Sequence, residues 1–192
     1  MQYKLAKKYE NDYYLSKIMG PNPLKLLEEL LSNNYLKENA IVCDLGCGKG
    51  LTSIFLVKEY NVFVYATDLW SEPKENELFF NEVGLNSKQI ISIKADANNL
   101  PFSKNCLDAL VCVDSYNYFG YDINFLDSKV LPFIKDNGYI YIKTRDIIRI
   151  SLVHISLNTI SSLITGYNNL IFILGIILMI EVILYFGKER YL

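Results

Sequence analysis

The chain has 192 residues, 51% of them hydrophobic, and a formal net charge of −2. That length supports one domain with a sizeable core and not two, and the hydrophobic share excludes a disordered chain. The small net charge and scattered Lys and Arg exclude the basic footprint of a nucleic-acid binder, and four cysteines without a CxxC pair beside a lone His154 exclude a zinc ligand set, so no metal is expected.

Residues 1–34 read as an N-terminal helical cap. They are polar and tyrosine-rich (Tyr3, Tyr9, Tyr13, Tyr14), lack the apolar run of a secretory leader, and break at Gly20-Pro21-Asn22-Pro23. Leu24, Leu27, Leu30 and Leu31 then recur at helical spacing, which predicts a helix from Pro23 to about Asn33. From there strands and helices alternate. Strands are predicted at Ala40–Leu45, Val62–Thr67, Ile90–Ala95, Ala109–Val113 and Tyr139–Thr144, the last entered through an Asn137-Gly138 turn. Helices are predicted at Leu51–Tyr60, at Glu75–Val83 with Gly84 as its stop, and at Phe125 to about Lys135 with a bend near Pro132. Continuous apolar strands between helices imply an α/β fold, a doubly wound, mainly parallel sheet covered on both faces. Cys43 and Cys112 lie in apolar runs and read as small core residues of a reducing, cytoplasmic compartment.

The first strand runs into Asp44-Leu45-Gly46-Cys47-Gly48-Lys49-Gly50, and a helix follows. Alternating glycines after a buried strand permit a tight turn and close approach of backbone to a ligand. Two ligands compete for such a loop, a dinucleotide and S-adenosylmethionine. The dinucleotide pattern GxGxxG fails in either register, because its third glycine falls on Leu51 or Ser53. Acids end the next three strands: Asp68, followed by Leu69 and Trp70; Asp96, followed by Ala97; and Asp114. Carboxyl ends of parallel strands are where such sheets bind ligands.

Over about residues 35–145 these motifs resemble the class I S-adenosylmethionine-dependent methyltransferases: Asp44-x-Gly46-x-Gly48-x-Gly50, Asp68, Asp96-Ala97 with Leu100-Pro101-Phe102, Leu107 to Asp114, and Gly138 to Ile142. The resemblance implies a Rossmann-like fold and S-adenosyl-L-methionine as cofactor. It implies cofactor contacts from Asp44, Gly46, Gly48, Gly50, Asp68 (on the ribose hydroxyls), Leu69, Asp96 and Ala97 (on adenine) and Asp114. The segment Asp114-Ser115-Tyr116-Asn117 lacks the Asp/Asn-Pro-Pro-Tyr/Phe pattern of enzymes that methylate exocyclic or amide nitrogens, and the chain has no Pro-Cys pair of a cytosine C5 enzyme. A small-molecule acceptor is expected, as in the ubiquinone-biosynthesis-like branch, with Asp114, Tyr116 and Asn117 as the acceptor-side residues; several members of that branch have His where this chain has Asn117. Tyr13, Tyr14 and Asn22 belong either to a lid over the cofactor or to a surface helix with its tyrosines packed on the sheet. Competing functions are a nicotinamide oxidoreductase and a cofactor-binding protein without catalysis.

Residues 147–192 stand apart from the domain at 35–146. The family's sheet normally ends with a helix and an antiparallel strand pair, whereas here a hydrophobic tail replaces them. Leu170 to Phe186 is interrupted only by Gly175 and Glu181, and Ile150 to Thr165 is a more polar companion. Lys143, Arg145 and Arg149 precede the pair, Lys188 and Arg190 follow it, and Gly166-Tyr167-Asn168-Asn169 between them is uncharged. Three readings stay open: a membrane hairpin over residues 150–186 at the cytoplasmic surface, a buried helix or oligomer interface, and a truncated or frame-altered end.

Overall fold

The computed structural model describes residues 3–120 and 122–144. The chain divides into two compact units, Met1–Arg145 and Asp146–Leu192; the second, with the proposed hairpin, lies outside the described residues. Among the described residues no helix is long and apolar enough to cross a membrane.

The first unit is built on five parallel strands: β1 (Ile41–Leu45), β2 (Phe63–Asp68), β3 (Ile90–Lys94), β4 (Leu107–Val113) and β5 (Ile134–Lys143), in the order β3-β2-β1-β4-β5. The chain builds outward from β1 through β2 to β3, then returns to the other side of β1 for β4 and β5. The reversal places a crevice beyond the carboxyl ends of β1 and β4, the usual ligand position in open α/β sheets.

The α-helices among the described residues are α1 (Asp12–Leu15), α2 (Pro23–Leu31), α3 (Leu51–Tyr60) and α4 (Pro73–Glu82). Asn22 caps α2 by accepting from the Leu24 and Lys25 amides, with Pro23 at the first helical position. Helix α3 has the predicted bounds and is buried on every side from Leu51 to Val57, so it is a core helix and not an amphipathic surface one. Helix α4 stops where Gly84 (φ +81°) takes the left-handed position: the Gly84 and Leu85 amides donate to the Asn81 and Phe80 carbonyls, closing the turn.

One face of the sheet packs on α2, α3 and α4 through Leu24, Leu27, Ile54, Phe55, Phe79 and Phe80. The other packs on Leu100, Phe125, Val130 and their neighbours. The predicted helix from Phe125 to about Lys135 is a correction: only Leu126–Val130 (a π-helical stretch) and a 3-10 turn at Leu131–Phe133 form, and Ile134 already pairs with Leu107. Pro132 lacks the amide a longer helix needs. Its carbonyl and that of Phe133 instead accept from the Asn105 and Cys106 amides at the entry to β4. Asn137-Gly138 is likewise not a turn before a strand but an irregularity within β5, where the register jumps between Leu107 and Ala109. A Cβ on Gly138 would lie 2.9 Å from the Asp108 carbonyl, so only glycine fits there.

Candidate functional site

A cavity of about 500 Å³ opens at the carboxyl ends of the strands. Its floor is the glycine loop between β1 and α3. Gly46, Gly48 and Gly50 have φ of +75°, +53° and +77°, so all three sit in the left-handed region that other residues enter only with strain. Each is a glycine for its own reason. A Cβ on Gly46 would fall 2.4 Å from Ser115 Oγ, at the point where that hydroxyl donates to the Leu45 carbonyl at 2.9 Å and ties β1 to β4. A Cβ on Gly50 would fall 2.5 Å from the Phe80 ring of α4. At Gly48 a Cβ would meet only Met19 Sδ, at 3.4 Å across the cavity. Gly48 is thus the loop's approach point for a ligand, whereas Gly50 does not line the cavity and serves packing.

Three of the loop's amides already have protein acceptors. Gly46 and Cys47 both donate to the Thr67 carbonyl, at 2.8 and 3.2 Å. Gly48 donates to Asp68 Oδ2 at 2.9 Å. The other oxygen of Asp68 accepts from the Trp70 and Ser71 amides, at 2.8 and 2.9 Å. Asp68 therefore organises two loops while still lining the cavity. A carboxylate offers about four acceptor positions, so one remains for a ligand hydroxyl. On the opposite side of the loop, Asn76 Nδ2 of α4 donates to the Gly48 carbonyl at 3.0 Å.

Asp44, expected among the cofactor contacts, lies beneath the loop, only 1% exposed and outside the cavity lining. Its Oδ2 accepts from Thr52 Oγ1 and Ser53 Oγ, both at 2.6 Å, which anchors the start of α3 under the glycines. Burial pushes its carboxyl up to about 6 despite the two hydroxyl donors, and the charge of Asp68 adds to the rise.

Leu69, Asp96, Ala97 and Asp114 all line the cavity with Gly46, Gly48 and Asp68. Asp114 has φ +55°, an uncommon backbone for a residue other than glycine, and its amide donates to the Lys143 carbonyl at 2.7 Å. The other two acceptor-side candidates, Tyr116 and Asn117, do not line it. Tyr116 turns into the lower core, edge-on to Phe119 and Phe125. Tyr118 and Phe119 take the cavity positions instead, one helical turn further on. Across the mouth Tyr118 meets Trp70 edge-to-face at 5.4 Å, both more than 60% exposed.

The N-terminal segment reaches the cavity through Lys17, Met19, Gly20 and Pro23 and not through the residues singled out in the sequence. Tyr13 donates to Glu82 at 2.5 Å and packs on Phe79, Tyr14 packs on Tyr9 and Phe79, and Asn22 caps α2. Those tyrosines are packing residues, and the cover is the stretch after them. Sequence reasoning also missed Asn76 and Ser115. Neither stands in a motif, and both become visible only when the loops are brought together. Among the described residues no cluster of His, Cys, Asp and Glu forms a metal site.

Comparison with known proteins agrees with this geometry. Residues 42–138 match the model of the methyltransferase domain family. A SAM-dependent methyltransferase from Aquifex aeolicus superposes with a TM-score of 0.53 at 25% identity, covering 74% of this chain and 72% of that one. The YcgJ protein of Bacillus subtilis superposes with a TM-score of 0.54 at 20% identity, covering 68% and 56%. Geranyl diphosphate C-methyltransferase from Streptomyces coelicolor, in complex with Mg2+, geranyl-S-thiolodiphosphate and S-adenosyl-L-homocysteine, does so with a TM-score of 0.54 at 20% identity, covering 69% and 49%. The chain spans about half the length of several of the structures it matches. No curated protein matches it. The parallel sheet with a glycine loop at its switch point is the Rossmann-like fold of a methyltransferase. The chain belongs to the class I S-adenosylmethionine-dependent methyltransferases, and S-adenosyl-L-methionine is its cofactor.

Proposed function

We propose that this protein transfers the methyl group of S-adenosyl-L-methionine to a small-molecule acceptor, as in the ubiquinone-biosynthesis-like branch. The observation that supports the cofactor half most directly is that the loop amides are already engaged. Gly46, Cys47 and Gly48 all donate to protein acceptors, Thr67 and Asp68. A phosphate cradle needs such amides pointed at the ligand. Here the cavity has Asp68, Asp96 and Asp114 around it instead, a setting suited to a ligand bearing ammonium and sulfonium charge.

The roles follow from position. Gly46 and Gly48 floor the methionine end. Asp68 accepts from one ribose hydroxyl with its remaining acceptor position, and Leu69, Asp96 and Ala97 bound the adenine. The bound cofactor supplies an electrophilic methyl carbon, and the chain's task is to hold the acceptor in line with it and keep water out. Lys17–Pro23 closes one side of the cavity, and Trp70 and Tyr118 form an apolar rim suited to the body of a small organic acceptor. Asp114 is the carboxylate placed to take a proton where the accepting atom must lose one. Tyr116 and Asn117 are not assigned contact with the acceptor. The net charge of −2 favours such an acceptor over a nucleic acid.

Isothermal calorimetry with S-adenosylhomocysteine and with a nicotinamide dinucleotide tests the cofactor half: binding of the first alone is expected, and binding of the second alone overturns it. Turnover of radiolabelled methyl donor against a metabolite panel tests the acceptor half.

A further inference from the structure

We propose that Asn76 is a positioning residue for the cofactor, acting through the Gly48 peptide. This rests on the reading of the cavity as an S-adenosylmethionine site. Asn76 is 3% exposed on α4, a buried polar side chain in a helix whose neighbours Phe79 and Phe80 are core. Its amide Nδ2 donates to the Gly48 carbonyl at 3.0 Å, while the Gly48 amide donates to Asp68 Oδ2 at 2.9 Å. The two peptide units flanking Gly48 are therefore held from opposite sides, one by α4 and one by the end of β2. Gly48 is also the loop glycine at which the cavity leaves space for a ligand. Glycine has no side chain to restrain its own backbone, so the peptides on either side must be fixed from outside. Phe80, one helical turn from Asn76, seats on Gly50 and brings the same face of α4 down on the loop. Asn76 does not line the cavity and touches no ligand itself; its effect passes through Gly48.

The test is calorimetric affinity for S-adenosylhomocysteine, with melting temperature recorded in parallel. Asn76→Ala removes the amide donor from the Gly48 carbonyl and leaves it only the weak Cys47 thiol contact at 3.6 Å, and affinity falls by about tenfold or more. Asn76→Asp keeps the shape but at neutral pH presents an acceptor to an acceptor, so it weakens binding as well. Below the titration of the new carboxyl, its O–H again donates to Gly48 and affinity recovers relative to wild type at the same pH. That pH-dependent rescue is the signature, since simple loss of packing does not reverse with protonation. Folded variants with wild-type affinity overturn the proposal, and so does failure of both variants to fold, which makes Asn76 a purely structural residue. Wild-type protein that does not bind S-adenosylhomocysteine overturns the reading of the cavity and the role of Asn76 with it; wild-type binding with unaffected variants removes only the role of Asn76.

Discussion

At the scale of single residues, Asp44 is a carboxylate whose burial disfavours its charge. Its carboxyl titrates near 6 in the folded protein and near 4 when unfolded. Between those values the native state binds the extra proton, so stability from this group is full below about pH 4 and is lost as pH rises through about 6. The difference of about 2 units corresponds to about 3 kcal/mol. Urea midpoints measured from pH 4 to 7 are expected to fall with rising pH by that component in wild type and not in Asp44→Asn; parallel curves would refute the buried carboxylate. The glycines separate by substitution. Gly50→Ala drives a methyl into Phe80, so melting temperature falls. Gly48→Val places branched carbon in the cavity, so cofactor affinity is lost first, and a folded Gly48→Val protein with full affinity would contradict the site. The spacing of the glycines was readable in the sequence, but their separate duties were not. Gly50 answers to Phe80 and Gly46 to Ser115, partners distant in the chain, and Asp44 reads as a ligand contact until the hydroxyls of Thr52 and Ser53 are seen folded back onto it.

At the scale of elements, the segment that leads to the cover is tied at its start by two acids. Glu28 of α2 accepts from the Leu5 and Ala6 amides at 3.2 and 2.7 Å, and Glu59 of α3 accepts from Tyr9 Oη at 2.8 Å and pairs with Lys8. Glu28→Ala removes the acceptor for two amides, and the segment leading to Lys17 loosens. Faster tryptic cleavage at Lys17 and weaker cofactor binding, with the sheet domain still folded, are the expected results; an unchanged cleavage rate would show that the tyrosine packing holds the cover unaided. Most elements were legible because local signals agreed with tertiary need. Helix α3 has its glycine start, α4 its Gly84 stop, and the strands their unbroken apolar runs. The predicted helix to Lys135 failed because apolar residues at Val130, Phe133 and Ile134 suit either period, and pairing with β4 claimed Ile134 for the sheet. Asn137-Gly138 has turn composition, which also suits the irregularity that a neighbouring strand imposes.

At the scale of the whole molecule, the end of β2 makes one residue answerable for two outcomes. Asp68 accepts three backbone amides from two loops. Asp68→Ala is therefore expected to lower the melting temperature as well as weaken S-adenosylhomocysteine by about ten- to a hundredfold; full affinity at native stability would reduce it to a strand end. The ligand end of the sheet was legible because each acid follows an apolar run. The tail is a separate matter: its two apolar segments and the charges at their outer ends motivate the proposed membrane hairpin over residues 150–186, which would hold the domain at the cytoplasmic surface. Fractionation decides it. Full-length protein in the membrane pellet and a version ending near Arg149 in the supernatant are expected, and full-length protein that remains soluble without detergent removes the anchor.

The engaged amides of the glycine loop have a consequence for hydrogen exchange. Loops at a ligand mouth ordinarily exchange fast and slow down when a ligand arrives. Gly46, Cys47 and Gly48 already spend their N–H groups on Thr67 and Asp68, so their deuterium uptake is expected to be slow without cofactor and to change little with it. The protection that cofactor brings should appear in the cover, around Lys17 to Gly20, and at the rim around Trp70 and Tyr118. A deuterium map of this protein would therefore show its binding loop as the quietest part of the binding site.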